Sequence, residues 1–423
     1  MTISTHTLKY GKGTLSFNYD DSDILQILQT KYYPGLADPQ SALLKVLDEP
    51  IGCRPFKDII KPGDKVAFIC NDTTRLANTH ELMPVLVREL NRLAVPDANI
   101  QVVFALGTHR TMTEEEVAQT LTEDIAGRLK SHMSVSTQTK DFRYFGMTSR
   151  NTPVWIHQAL CDVDHVIMTG SVVHHYFSGY GGGRKAILPG CAAMETIRMN
   201  HSHMLDVNAR LGVTEGNPCY EDQMEGVALF AKNRSLFLIN TVLNSDHETV
   251  KIFAGHYREA HLAACRFVDY VYGVKLEEPA DLVIASCGGY PKDINVYQMQ
   301  KTMDNAVCAV REGGVVILLA ECSEGSGSKK LEETFRRLKT PEAIRKDLEE
   351  NFQIGANKAY AITRPLSRAD FILVSNLNKE LAKTMHFTAV DTVEEAIALA
   401  KTKLDDHPKT VLMPEGSVTV PRL

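Results

Sequence analysis

An excess of charge of either sign is what this 423-residue sequence most plainly lacks: 46 Lys and Arg stand against 52 Asp and Glu, a formal net charge of −6. No basic footprint is therefore offered to nucleic acid, and no such partner is expected. Long apolar runs are missing as well; none reaches the ~20 residues that a bilayer span requires, so no membrane partner is expected either. The opening stretch MTISTHTLKYGKG has no apolar core of the secretory kind, and a cytoplasmic location is the expectation. Nine cysteines (Cys53, Cys70, Cys161, Cys191, Cys219, Cys265, Cys287, Cys308, Cys322) are scattered without a single CxxC pair. That argues against a zinc knuckle or a disulfide scaffold and suits reduced, mostly buried thiols. There is one tryptophan, no repeat at a period of ~20–50 residues, and no low-complexity tract beyond SEGSGS at 323–328. What remains, 44% apolar and 23% charged residues, is the profile of a globular chain.

The length exceeds what one ordinary core accommodates, so two domains are expected. Short β-branched apolar runs alternate with helical patterns, which predicts an α/β fold: mainly parallel sheets with crossover helices. Strands are predicted at 65–70 (KVAFIC), 100–106 (IQVVFAL), 165–169, 236–240, 281–286 (DLVIAS), 314–320 (GVVILLA), 370–375 and 410–413. A helix is predicted over 81–93, and Thr113 three residues before Glu116 reads as a capping box. The polar break KLEEPAD near 274–280 places an N-terminal α/β domain at 1–273 and a smaller one at 274–405. The segment 406–423, with its terminal strand, is free to return to the first domain.

Glycine-bearing and polar segments follow these strands: NDTTR, GTHR, GSVVHH and GGYPKD. Ligands of open α/β sheets sit at the carboxyl ends of strands, so these loops are expected to converge on an active site in a cleft between the domains.

The densest segment is 170–203, GSVVHHYFSGYGGGRKAILPGCAAMETIRMNHSH. The run Gly181-Gly182-Gly183 allows close backbone approach and N–H groups for a phosphate, although a tight turn is the commoner use of such a run. Ala186 after Lys185 excludes a Walker A loop, and no GxGxxG stands between strand and helix. His174 and His175, adjacent in an extended segment, point to opposite faces, so only one of them can face the cleft. His201 and His203 pose the same choice, with a structural histidine as the alternative at each position. His109 belongs to the same sheet edge, and no spacing here matches a familiar metal site. Arg75 is placed to clamp a carboxylate or phosphate. Asp72 is placed to accept ribose hydroxyls, with a capped helix as the alternative reading of the loop. Tyr297, Gln298 and Lys301 share one face of a helix that opens after GGYP, either solvated or facing a ligand.

In DTTR (72–75), GTHR (107–110), HHYFSGYGGGRKAILPG (174–190), NHS (200–202) and GGYPKDINVYQMQK (288–301), taken in order, the chain resembles the lactate racemase family. The resemblance covers about 230 residues. It implies a 2-hydroxyacid racemase or epimerase, an isomerase that depends on a nickel-pincer nucleotide. That cofactor is a pyridinium-3-thioamide-5-thiocarboxylic acid mononucleotide, attached covalently through Lys185, with nickel bound by the pincer and by His201. His109 and His175 would be the catalytic acid/base pair. Arg75, Gln298 and Lys301 would bind substrate, while Asp72 and Tyr297 would help to position the cofactor. The partners implied are a small 2-hydroxyacid, lactate by default, and the cofactor-synthesis enzymes; the oligomeric state is left open. His174 and His203 fall outside the family's functional positions. The glycine stretch departs mildly, lacking the serine that precedes the glycines in some relatives. Trp155 lies far from the segment that closes over substrate, which leaves Phe352 or Tyr360 for that role. The competing readings are a 2-hydroxyacid oxidoreductase with a free nicotinamide dinucleotide and a non-catalytic nickel- or nucleotide-binding protein.

Overall fold

A computed structural model describes residues 2–423. The chain forms two compact units, one of Tyr32–Val268 and one of the residues up to Lys31 together with Asp269–Leu423.

In the Tyr32–Val268 unit, the strand Val66–Asn71 lies at the centre of a six-stranded sheet. Ile100–Ala105 and then Lys130–Met133 lie on one side of it, and His165–Ser171 and Ser235–Leu243 on the other, all parallel. Thr249–His256 closes the edge antiparallel to Ser235–Leu243. Val66, Ala67, Phe68, Ile69 and Cys70 are all fully buried, because helices cover both faces; this is why the strand reads as an unbroken apolar run. The chain winds outward from Val66–Asn71 in one direction and then restarts beside it at His165–Ser171. The carboxyl ends of these two strands therefore flank a topological switch point, where doubly wound sheets bind ligands. The helix Thr79–Arg92 follows the first strand, and Glu114–Leu121 opens with the expected Thr113–Glu116 capping box, both bonds made.

The other unit holds a fully parallel six-stranded sheet in the order Thr388–Val390, Ala369–Val374, Val310–Leu319, Ala280–Ser286, Thr410–Met413, Ile24–Ile27. The antiparallel hairpin of Ile3–Tyr10 and Gly13–Asp20 lays Leu8, Phe17 and Tyr19 on its core, beside Ile317, Leu319 and Leu412.

All eight predicted strands are present, but the division of the chain differs from 1–273, 274–405 and 406–423. The first 31 residues pack with the C-terminal unit, because a two-stranded hairpin cannot bury its own apolar face. The terminal strand Thr410–Met413 stays in that same unit, between Ala280–Ser286 and Ile24–Ile27. The boundary itself falls at 268/269, within the helix Glu259–Tyr272 rather than at the polar break after it. No helix among the described residues is long and apolar enough to cross a membrane.

Candidate active site

The loop after Val66–Asn71 and the loop after Ile100–Ala105 meet through a hydrogen bond. His109 Nδ1 lies 2.5 Å from Asp72 Oδ2, while Asp72 Oδ1 accepts from the backbone N–H and hydroxyl of Thr74 at 2.8 and 2.6 Å. The carboxylate is 4% exposed and the imidazole 39%. Burial pushes the Asp72 carboxyl up, but the bonds from His109 and Thr74 outweigh it and hold the group below its ordinary value. An ionised carboxylate only accepts, so the neutral form of His109 carries its proton on Nδ1 and has its lone pair on Nε2. Asp72 is thereby bonded to His109 through one oxygen and to Thr74 through the other. Gly107 N–H donates to Gly190 O at 2.9 Å, which ties this loop to the glycine-rich segment. Arg75 is exposed on the same loop as Asp72.

His174–His175 and Gly179–Tyr180 form a short antiparallel hairpin beyond His165–Ser171. His174 packs on Tyr180 at 5.2 Å. His175 stacks on Tyr176 at 5.2 Å and meets Phe177 edge-on at 4.6 Å. Its Nδ1 accepts from Ser178 N–H at 3.3 Å, which places the ring proton of the neutral form on Nε2. Burial, then the positive charge of Lys185 and Arg75, holds His175 well below the usual imidazole range. Burial, followed by Arg75 and Arg184, likewise holds the Lys185 amine well below its ordinary value. No carboxylate pairs with Lys185 among the described residues; its Nζ lies 5.7 Å from the Phe177 ring centre.

His201 comes from the helix Met194–Ser202 and packs against the same ring, 5.0 Å between centroids. Its Nδ1 is buried without a hydrogen-bond partner, and burial, then Lys185, pushes its pKa down to about 3. Phe177 is thus a wall common to His175, Lys185 and His201; nothing in its sequence setting marked it. An amine held below its ordinary pKa and an orphaned imidazole nitrogen fit a covalently held, metal-bearing group. Lys185 would hold it and His201 would ligate its metal. Among the described residues no cluster of three or more His, Cys, Asp or Glu could hold a metal ion, so any further donors would come from the group itself.

The glycines serve packing more than a ligand. Gly182 and Gly183 have positive φ of 68° and 55°, and a Cβ on Gly182 would lie 2.7–2.9 Å from Asn240, Val172 and Ser171. The N–H groups of Gly181 and Gly183 go to Val173 O at 2.7 Å and Asn240 Oδ1 at 2.8 Å, which removes them as phosphate donors. His203 sits 3.5 Å from Thr152 and 3.8 Å from Asp222, a structural setting.

In the other unit, the helix Val296–Ala306 follows the GGYPKD loop at the carboxyl end of Ala280–Ser286, with Asn295 capping it through Gln298 N–H at 3.0 Å. Tyr297 and Lys301 are exposed and Gln298 half-buried, on one face as the spacing predicts. Sequence reasoning missed Lys358, a buried lysine whose Nζ lies 4.3 Å above the Tyr297 ring and 2.5 Å from Gln300 Oε1. Phe352 and Tyr360, expected to close over substrate, are instead 6% and 8% exposed and belong to the buried interior of their unit.

Residues 10–212 match the family model described as the lactate racemase N-terminal domain, and 275–420 that of the lactate racemase C-terminal domain. A lactate racemase from Thermoanaerobacterium thermosaccharolyticum is 30% identical over 425 residues, 98% of each chain. One from Lactiplantibacillus plantarum is 30% identical over 422 residues, 97% of each chain. The structure of the Thermoanaerobacterium lactate racemase apoprotein superposes with a TM-score of 0.91 at 30% identity, covering 99% of this chain and all of the other. A protein from Thermotoga maritima shares the fold, with a TM-score of 0.66 at 18% identity over 92% of this chain.

Proposed function

Because the chain belongs to the lactate racemase family, we propose that it inverts the C2 carbinol of a small 2-hydroxyacid, lactate by default, with His109 and His175 as alternating acid and base. The Cα–H of such an acid is very weakly acidic, because deprotonation beside a carboxylate makes a dianion. Removal of hydride while a base takes the hydroxyl proton avoids that charge. When bound at Lys185 and His201, a nickel-pincer nucleotide supplies the hydride acceptor and donor for this chemistry. His109, oriented by Asp72 through Nδ1, takes the hydroxyl proton of one enantiomer at Nε2, and His175 serves the other. Arg75 clamps the substrate carboxylate, and Gln298 and Lys301 complete the substrate contacts of the proposal. Tyr297 is assigned to the cofactor. The cofactor-synthesis enzymes are the partners this reading requires.

The observation that carries it is the gathering of His175, Lys185 and His201 on Phe177. The strand order also suits a dinucleotide-dependent oxidoreductase, but the N–H groups of Gly181 and Gly183, two that could hold its pyrophosphate, are already bonded. Two measurements separate the readings. Intact-mass analysis after co-expression with cofactor-synthesis enzymes should find an adduct mapping to Lys185. Chiral chromatography on a panel of 2-hydroxyacids should show both enantiomers formed from either one. His109→Ala and His175→Ala should abolish that conversion and keep the adduct. An unmodified chain that reduces added nicotinamide dinucleotide would sink the proposal.

A further inference from the structure

Behind the site lies a file of polar side chains that the reaction does not use, every one of them fully buried: Arg184, Ser178, Gln223, Asn200 and Asp222. Arg184 has no carboxylate partner among the described residues. Its Nη2 donates to Ser178 O, Ser178 Oγ and Tyr180 O at 2.6, 3.1 and 3.1 Å, and its guanidinium stacks 4.1 Å from the Tyr220 ring centre. Ser178 Oγ lies 2.9 Å from Gln223 Oε1, Gln223 Nε2 lies 2.8 Å from Asn200 Oδ1, and Asn200 Nδ2 lies 2.7 Å from Asp222 Oδ2. Asp222 also accepts from Thr148 and Thr152 at 2.5 and 2.9 Å.

The direction of every bond follows from the chemistry of the two ends. The Asp222 carboxylate and the Cys219 carbonyl only accept, so Asn200 turns its amide nitrogen to them and its oxygen to Gln223. Gln223 must then donate to Asn200 and accept from Ser178. The Ser178 hydroxyl, spent on Gln223, accepts in turn from Arg184. One polarity runs from a buried cation to a buried anion through three neutral relays. Such a chain strengthens each of its bonds and compensates both charges without bringing them into contact.

Each link belongs to a different piece of the site. Ser178 N–H donates to His175 Nδ1, Arg184 adjoins Lys185, and Asn200 precedes His201. The helix Pro218–Ala231 supplies the hub, and its cap Asn217 donates to Phe177 O at 2.9 Å. We infer that Gln223 is a positioning residue for the reaction, joining the hairpin that carries His175 to the helix that carries His201 through Ser178 and Asn200. The inference rests on the roles proposed above for those two histidines.

Gln223→Met keeps the side-chain volume and removes both bonds. In the cofactor-loaded enzyme, kcat should fall about tenfold to a hundredfold while KM moves less than about threefold, since misplacement affects the reacting geometry more than binding. In the unloaded protein, histidine side-chain 15N–1H spectra should show the single Nε2–H form of His175 in the wild type and a mixture in the variant. Ser178→Ala breaks the chain at its hairpin end alone and should move both readouts in the same direction by less. If Gln223→Met does not fold, Ser178→Ala decides by the same two readouts. A folded variant with wild-type kcat and an unchanged His175 spectrum overturns the inference. Should the wild type not racemise while its His175 spectrum still responds to Gln223→Met, the positioning stands and the proposed reaction falls.

Discussion

Asp72 carries no group to substrate in this arrangement, yet its two oxygens decide which nitrogen of His109 is basic. An amide in its place can donate to His109 Nδ1 and move the ring proton to Nε2, where the proposal needs a lone pair. Asp72→Asn should therefore lower kcat by about 10²–10⁴-fold. The loss in kcat/KM should be the same from either enantiomer, because their equilibrium constant is one. Chiral assays in both directions check this, and a loss below about threefold would refute the orienting role. The residues of the proposal were named through the order of motifs shared with the family; taken singly, each histidine, the lysine and the arginine also allowed a structural reading. Phe177, Gln223 and Lys358 were not named. An aromatic wall, a buried amide and a buried lysine look ordinary in sequence, and only their neighbours give them meaning.

Among the elements, the glycine turn between the hairpin and Lys185 is the most demanding. At Gly182, φ is 68° and a Cβ would press on the Ser171 carbonyl at 2.9 Å as well as on two side chains. Gly182→Ala should cost about 1–3 kcal/mol of stability, through strain at the site rather than loss of a ligand contact. Chemical denaturation of the unloaded protein checks this; unchanged stability would show that the turn relaxes freely. Strands with unbroken apolar runs were predicted in place, because burial on both faces leaves no room for polar side chains, although Ser235–Leu243 and Val310–Leu319 extend beyond the runs predicted for them. Lys130–Met133 and Thr388–Val390 were missed. Both lie at sheet edges, where few side chains are covered and the apolar signal fades. The capping box at Thr113 was readable because its two bonds join residues three apart.

For the molecule as a whole, burying histidines in their neutral form makes stability depend on pH. His201 and His261 are pushed down to about 3, and His175 well below its ordinary value, each mainly by burial. A depressed folded-state pKa means that the unfolded chain binds the proton more readily. The stability these groups contribute is complete above about pH 6.5 and is lost as pH falls from there toward their folded values. Each such histidine should cost about 1.4 kcal/mol per pH unit over that window. Urea midpoints at pH 7.5 and 5.5 should therefore fall clearly toward acid, and equal midpoints would contradict the neutral burial of these rings.

The sequence by itself determined the α/β class, the strands of both sheets that are covered on both faces, and the loops that carry chemistry. These are consequences of local pattern: apolar runs, turn residues and reactive side chains at strand ends. Tertiary structure alone decided that the first 31 residues serve the C-terminal unit, that the glycines of 181–183 are spent on packing, and that a buried chain from Arg184 to Asp222 stands behind His175 and His201. Each of these rests on groups far apart in the chain, and no local pattern encodes which distant partner a backbone N–H or a buried amide will find.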